Sequence, residues 1–293
     1  MKGNENASSL VGETTSRRTG APREKRDLPL GVFDSGLGGL TVVRAIRARC
    51  PREDIVYLGD TARVPYGTRS PDTIIRYALS CARVLTSRGV KAIVVACNTV
   101  SAVALDVLRV ELDLPVLGVI LPGARAGVAA ARGGPIGVLG TAGTIASGAY
   151  PRAVASLSTR AETLGQAAPL LVSLAEEGWL TGDVPRLVAK KYLEPLIRAG
   201  ARVIVLGCTH FPLLEDVIRA EATALAAGPV AVVDSASATA DEVARFLEER
   251  GQSTWREAPG ALDLYVTDLP KSFSDIAARF LCEPVERVTQ IDL

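Results

Sequence analysis

Two cysteines stand in matching surroundings. In Ala92-Ile93-Val94-Val95-Ala96-Cys97-Asn98-Thr99, and again in Val203-Ile204-Val205-Leu206-Gly207-Cys208-Thr209-His210, an apolar run delivers a thiol followed by small polar residues able to open a helix. A thiol titrates close enough to neutral pH to use both protonation states, and the positive end of a helix favours the thiolate. Such a group can accept a proton, donate one, attack an electrophile or bind a metal. Cysteine also serves as a small buried hydrophobe, and Cys50, Cys81 and Cys282, in or at the ends of helical patterns, read that way. Matched placement sets Cys97 and Cys208 apart from these three.

Spacing narrows the thiol chemistry. Zinc draws four nitrogen or sulfur ligands at short spacings, and the chain has neither C-x-x-C nor a second histidine, so no metal is expected. A Cys-His hydrolase pair, Cys208 with His210, leaves Cys97 without a role. A redox disulfide between Cys97 and Cys208 stays open, although neither has the local partner of a thioredoxin-like motif.

Other candidates lie where strands run out. Phe33-Asp34-Ser35-Gly36-Leu37-Gly38-Gly39-Leu40-Thr41 is a strand entering a glycine loop, which either binds an anionic group through main-chain N–H donors or is a tight β-α turn. Asp34 and Ser35 at the strand end favour a ligand. Thr41 stands where a dinucleotide fingerprint needs its third glycine, so no nicotinamide or flavin cofactor is expected. The stretch from Asp60 to Pro71, containing Pro65-Tyr66-Gly67, exceeds a minimal connection; it is a solvated loop or a binding loop in which Tyr66 offers a ring and a hydroxyl. Thr141 and Thr144 sit in the second half where Asp34 and Ser35 sit in the first, and they either bind a carboxylate or cap a helix. Asn98 or Thr99 can cap the helix after Cys97, and Thr209 or His210 precedes Pro212, a residue suited to a first helical turn. His210, the sole histidine, is structural or belongs to the site formed by Cys208.

The elements that must position these residues are short Val- and Ile-rich runs at 30–33, 55–58, 92–95, 116–120, 136–139, 161–164, 203–206 and 230–233. They alternate with stretches of helical period, the pattern of β-α units on parallel sheets, and a final strand-helix-strand reads as 262–266, 272–281 and 287–291. Gly31-Val32-Phe33-Asp34-Ser35-Gly36 pairs with Gly137-Val138-Leu139-Gly140-Thr141-Ala142 at nearly the offset that relates the two cysteine segments. Two related α/β domains with mainly parallel sheets are therefore expected, each carrying a cysteine at the ligand-binding, carboxyl end of a strand. Leu121-Pro122-Gly123 and Gly228-Pro229 mark breaks. The expected division is a disordered tail at 1–28, a first domain at 29–121 completed by 234–293, and a second at 122–233.

Composition limits the partner. The 293-residue chain carries 33 basic and 32 acidic residues, a net charge of +1 that leaves no footprint for nucleic acid. No apolar run approaches the ~20 residues that cross a bilayer, so no membrane is expected. Arg17-Arg18 is not followed by the apolar segment of an export signal, and five dispersed cysteines do not form a disulfide framework. A small molecule in a reducing cytoplasm is the expected setting.

With these segments side by side, the chain resembles the glutamate racemases of the aspartate/glutamate racemase superfamily. The resemblance rests on Asp34-Ser35-Gly36-Leu37-Gly38-Gly39-Leu40, Pro65-Tyr66-Gly67, Cys97-Asn98-Thr99, Gly140-Thr141-Ala142-Gly143-Thr144 and Gly207-Cys208-Thr209-His210, and covers the chain from about Leu30 onward. It implies two pseudo-symmetric α/β domains with an interdomain active site, and cofactor-independent interconversion of L- and D-glutamate. The product would be D-glutamate for peptidoglycan, hence for cell-wall biogenesis and cell shape; the expected assembly is a homodimer. Carried over by motif, Cys97 and Cys208 are the acid/base thiols. Asp34, Ser35, Pro65, Tyr66, Gly67, Asn98, Thr99, Thr141, Thr144 and Thr209 line the substrate pocket, while Asp34, His210 and Glu176 assist the chemistry. The chain departs from the family at Ala168-Pro169, where members carry Cys-Pro, at Ala175-Glu176, where they carry Val-Glu, and at Phe211, where Tyr is common. Aspartate racemisation and non-catalytic binding of an acidic amino acid are the alternative expectations.

Overall fold

The computed structural model describes residues 24–269, 273–285 and 287–293. Its strands are β1 (Leu30–Asp34), β2 (Ile55–Gly59), β3 (Ala92–Val95), β4 (Val116–Gly118), β5 (Ile136–Gly140), β6 (Thr163–Ala167), β7 (Val203–Gly207), β8 (Ala231–Asp234), β9 (Leu262–Val266) and β10 (Thr289–Gln290). Every residue of β1, β2, β3, β5 and β7 is buried, which explains why they read as unbroken apolar runs rather than alternating ones. They assemble into two sheets, ordered β10-β9-β2-β1-β3-β4 and β6-β5-β7-β8, and every pairing is parallel.

The order β2-β1-β3-β4 of one sheet is the order β6-β5-β7-β8 of the other, so the half-length repeat extends to whole-sheet topology. In each sheet the first strand of the repeat, β1 or β5, lies between the second and the third. Connections leave it in opposite directions and open a crevice at the carboxyl ends, where ligands of such sheets bind. Asp34 ends β1 and Cys97 lies just beyond β3; Thr141 follows β5 and Cys208 follows β7. One apolar cluster runs from Leu30, Val32 and Val94 through the helices Leu40–Arg49 and Ser235–Glu249 to Leu139, Ile204 and Leu206, so the two sheets share a core.

Several boundaries differ from expectation for local reasons. Leu121-Pro122-Gly123 is not a break but part of the helix Ile120–Ala131, since proline is tolerated in a first turn whose N–H groups have no intrahelical acceptor. That helix shortens β4 to Val116–Gly118. β6 runs later than 161–164 because it is a half-exposed edge strand with little apolar signal. Residues 25–27, assigned above to the tail, form a 3-10 turn, and the Arg26 carbonyl accepts a hydrogen bond from Lys91 Nζ at 2.8 Å. Residues 1–23 of the expected tail, and residues 270–272 and 286, lie outside the described residues. No helix among the described residues is long and apolar enough to cross a membrane.

Candidate active site

Cys97 is itself the N-cap of the helix Asn98–Val103, the position expected for Asn98 or Thr99. Those two residues instead begin the helix and send their side chains across to the helical segments that follow β5. Asn98 Nδ2 donates to the Tyr150 hydroxyl at 3.0 Å, and Thr99 Oγ1 lies 2.8 Å from Thr141 Oγ1. Cys97 Sγ is 3.4 Å from Ser35 Oγ. Burial, with the Asp34 carboxylate adding to it, pushes the Cys97 thiol up to about 12, against the opposing hydrogen bonds from Ser35 and the Val100 N–H. Asp34 is fully buried, which raises its own pKa despite the His210 charge and the N–H groups of Gly39, Gly36 and Ser35. Its Oδ2 accepts from Gly36 N at 3.1 Å, while Oδ1 has no hydrogen-bond partner among the described residues.

The second thiol keeps different company. Cys208 Sγ lies 3.7 Å from His210 Nδ1, and His210 Nε2 lies 3.0 Å from Glu176 Oε1. Burial alone would lower the His210 pKa, but its hydrogen bonds to Cys208 and Glu176 outweigh that and raise it to about 10. Glu176 is correspondingly lowered, chiefly by its hydrogen bond to His210. At neutral pH the second thiol therefore faces an imidazolium, and the first is a neutral S–H beside a hydroxyl.

Contacts between the halves close the site. Thr41 Oγ1 donates to the Thr209 carbonyl at 2.9 Å, and Gly143 N donates to the Gly67 carbonyl at 3.0 Å. Gly38 is needed for the first of these approaches: a Cβ there would lie 2.5 Å from His210 Nδ1 and overlap Thr209 Oγ1. The cavity between the halves, of about 360 Å³, is of a size that suits a small metabolite. Cys97 and Cys208 both line it, together with Ser35, Pro65, Tyr66, Gly67, Asn98, Thr99, Thr141, Glu176, Thr209 and His210. Asp34 and Thr144 are buried outside the lining; the Thr144 hydroxyl meets Thr99 and Thr141, and its N–H donates to Thr141 Oγ1, the N-cap of the helix Ala142–Ala146. Tyr66 presents no free hydroxyl to the cavity, because its O–H is bound to buried Asp60. Among the described residues no cluster of three or more His, Cys, Asp or Glu side chains could hold a metal ion.

Residues 39–243 match the family model described as Asp/Glu/Hydantoin racemase. The chain belongs to this family. It is 47% identical over 266 residues to a glutamate racemase of Geobacter metallireducens, covering 90% of this chain and 96% of that relative. The crystal structure of glutamate racemase from Thermus thermophilus in complex with beta-chloro-D-alanine is 44% identical with a TM-score of 0.82, covering 92% of this chain and 99% of the other. That of glutamate racemase from Francisella tularensis in complex with D-glutamate is 34% identical with a TM-score of 0.83, covering 91% and 98%.

The racemase cavity also includes residues outside those expected to line it. Gly36, Val64, Thr68 and Ala142 flank residues already expected there. Pro169, Val172 and Ser173 line it with Glu176, and all four belong to the helix Pro169–Glu177. Their spacing of i, i+3, i+4, i+7 is one helical face, a signal present in the sequence once Glu176 is placed on it.

Proposed function

We propose that this protein interconverts L- and D-glutamate without a cofactor, using Cys97 and Cys208 as opposed acid and base, and that its product serves peptidoglycan synthesis in the cytoplasm. What supports this most is the presence of both thiols on one small cavity, each carried by the same strand of a repeated sheet. Inversion at Cα requires a proton to leave one face and another to arrive at the opposite face, so a single base is not enough. One sulfur, as thiolate, takes the α-proton and becomes S–H; the electron pair left on Cα then takes the proton of the opposite S–H, which becomes the thiolate. Atoms and charge balance, and the enzyme is left ready for the reverse reaction. Cys97, held as a neutral thiol, is suited to donate; His210 can donate to the Cys208 sulfur as charge develops there. Hydroxyls of Ser35, Thr99, Thr141 and Thr209 and the Asn98 amide provide polar contacts for the two carboxylates and the amine.

Circular dichroism of L-glutamate incubated with the protein is expected to decay to zero, and L-aspartate to be left unchanged. Cys97→Ser and Cys208→Ser are each expected to lose about 10²- to 10⁴-fold in turnover, the range for a general acid or base, while calorimetry still detects glutamate binding. Wild-type turnover in either variant would overturn the two-thiol assignment; decay with aspartate alone would overturn the substrate.

A further inference from the structure

Two consecutive residues of the helix Phe273–Leu281 reach the residues behind Cys208, one at a side chain and one at the main chain. Phe280, fully buried, meets the His210 ring edge to face with centroids 5.2 Å apart. Arg279 donates through Nη1 to the carbonyls of Ala175, at 3.2 Å, and Glu176. Helix-terminal carbonyls lack the donor four residues on; the Ala175 carbonyl also accepts from Gly178 N at 3.2 Å, and Arg279 adds a charged donor to it and to the Glu176 carbonyl, in the very turn that carries the Glu176 carboxylate. Gly178 makes room for it: the residue is left-handed at φ +77°, and a Cβ there would lie 2.7 Å from the guanidinium carbon.

Glu176 needs such support. It sits in the last turn of its helix, where the macrodipole disfavours a carboxylate, and its side chain is 49% exposed, so neither burial nor helix electrostatics holds it toward His210. The Arg279 cation offsets the dipole and ties down the turn. Among the described residues nothing equivalent serves Cys97, whose neighbours are Ser35 and Asp34.

We propose that Arg279 and Phe280 are positioning residues for proton transfer at Cys208 alone, Arg279 through Glu176 and Phe280 through the plane of His210. The proposal rests on the two-thiol racemase function above. Its signature is directional. A racemase has an equilibrium constant of one, so kcat/KM must fall by the same factor for both enantiomers. Isotope effects need not follow. With α-deuterated substrate, slowing transfer at Cys208 exposes C–D cleavage for the enantiomer whose α-hydrogen goes to Cys208. For the other enantiomer, cleavage occurs at Cys97 and reprotonation becomes limiting, so the substrate isotope effect shrinks.

Arg279→Gln and Phe280→Leu are expected to lower kcat/KM about tenfold or more, the scale of a small misplacement of a catalytic group. The α-deuterium effect on kcat/KM should rise for one enantiomer and fall for the other, and Arg279→Lys, which retains the cation, should restore part of the rate. Unchanged isotope effects in both directions would overturn the proposal, whether the rate is that of the wild type or falls only with the folded fraction. Should Arg279→Gln not fold, Phe280→Leu and Arg279→Lys carry the same decision. Failure of the wild type to racemise glutamate would instead overturn the function; an active wild type, an inactive Cys208→Ser and a normal Arg279→Gln would overturn this inference only.

Discussion

At the scale of single residues the two thiols are alike in position and unlike in company. Cys97 has a hydroxyl and a buried carboxyl; Cys208 has an imidazole backed by a carboxylate. The second arrangement has a measurable consequence for stability. His210 keeps its proton in the folded protein to about pH 10, against 6.5 for the free side chain. Between those values the unfolded chain binds fewer protons than the folded one, so this contribution is complete below pH 6.5 and is lost as pH rises through 10. The melting temperature of wild type minus that of His210→Asn is therefore expected to narrow steadily from pH 6.5 to pH 10. A gap independent of pH would show that His210 is not charged in the folded state. The matched placement of Cys97 and Cys208 was legible from residue type and repetition. The use of Tyr66 was not, since whether its hydroxyl faces substrate or Asp60 depends on a buried acceptor that adjacent sequence does not specify.

Among elements, the ends of strands and the starts of helices do the positioning. β1, β3, β5 and β7 stop at one edge of their sheets, and the residues that follow them meet across the cavity. Close approach of the loop after β1 to the turn after β7 depends on Gly38, so Gly38→Ala is expected to force Thr209 and His210 apart. Overpacking of this kind costs about 1–3 kcal/mol, to be read from urea denaturation. Turnover should fall about tenfold or more at the same time, since His210 is displaced from Cys208. Unaltered stability together with unaltered turnover would mean that the loop yields without disturbing the site. Strand positions were legible because strands buried on both faces leave long apolar runs. The edge strand β6 and the helix through Pro122 were not, the first for want of apolar residues and the second because proline signals a break and a helix start alike.

Across the whole molecule, distant segments are tied together at the edge of the first sheet opposite the cavity. Lys91 is fully buried and pairs with buried Glu53; its Nζ also donates to the carbonyls of Arg26 at 2.8 Å and Gln252 at 2.9 Å, and Glu53 Oε1 accepts from Thr254 N at 2.9 Å. Removing one member of a buried ion pair strands the other, at a cost of about 3–5 kcal/mol. Lys91→Met should lose that much in urea denaturation, and adding Glu53→Leu should recover a good part of it. A loss below about 1 kcal/mol, the worth of an exposed pair, would show that the site is open to water.

The sequence by itself determined the alternation of strand and helix, the repetition of the half-chain unit and the two cysteines placed alike within it. These follow from periodicity and local residue chemistry, which are properties of neighbours along the chain. Only the tertiary structure decided that both thiols line a single cavity, that Thr144 and Asp34 lie outside its lining, and that Arg279 and Phe280 reach Glu176 and His210 from a helix about a hundred and eighty residues after Cys97. Those relations depend on how one sheet is set against the other, which is governed by the packing of a shared core rather than by any local run of residues.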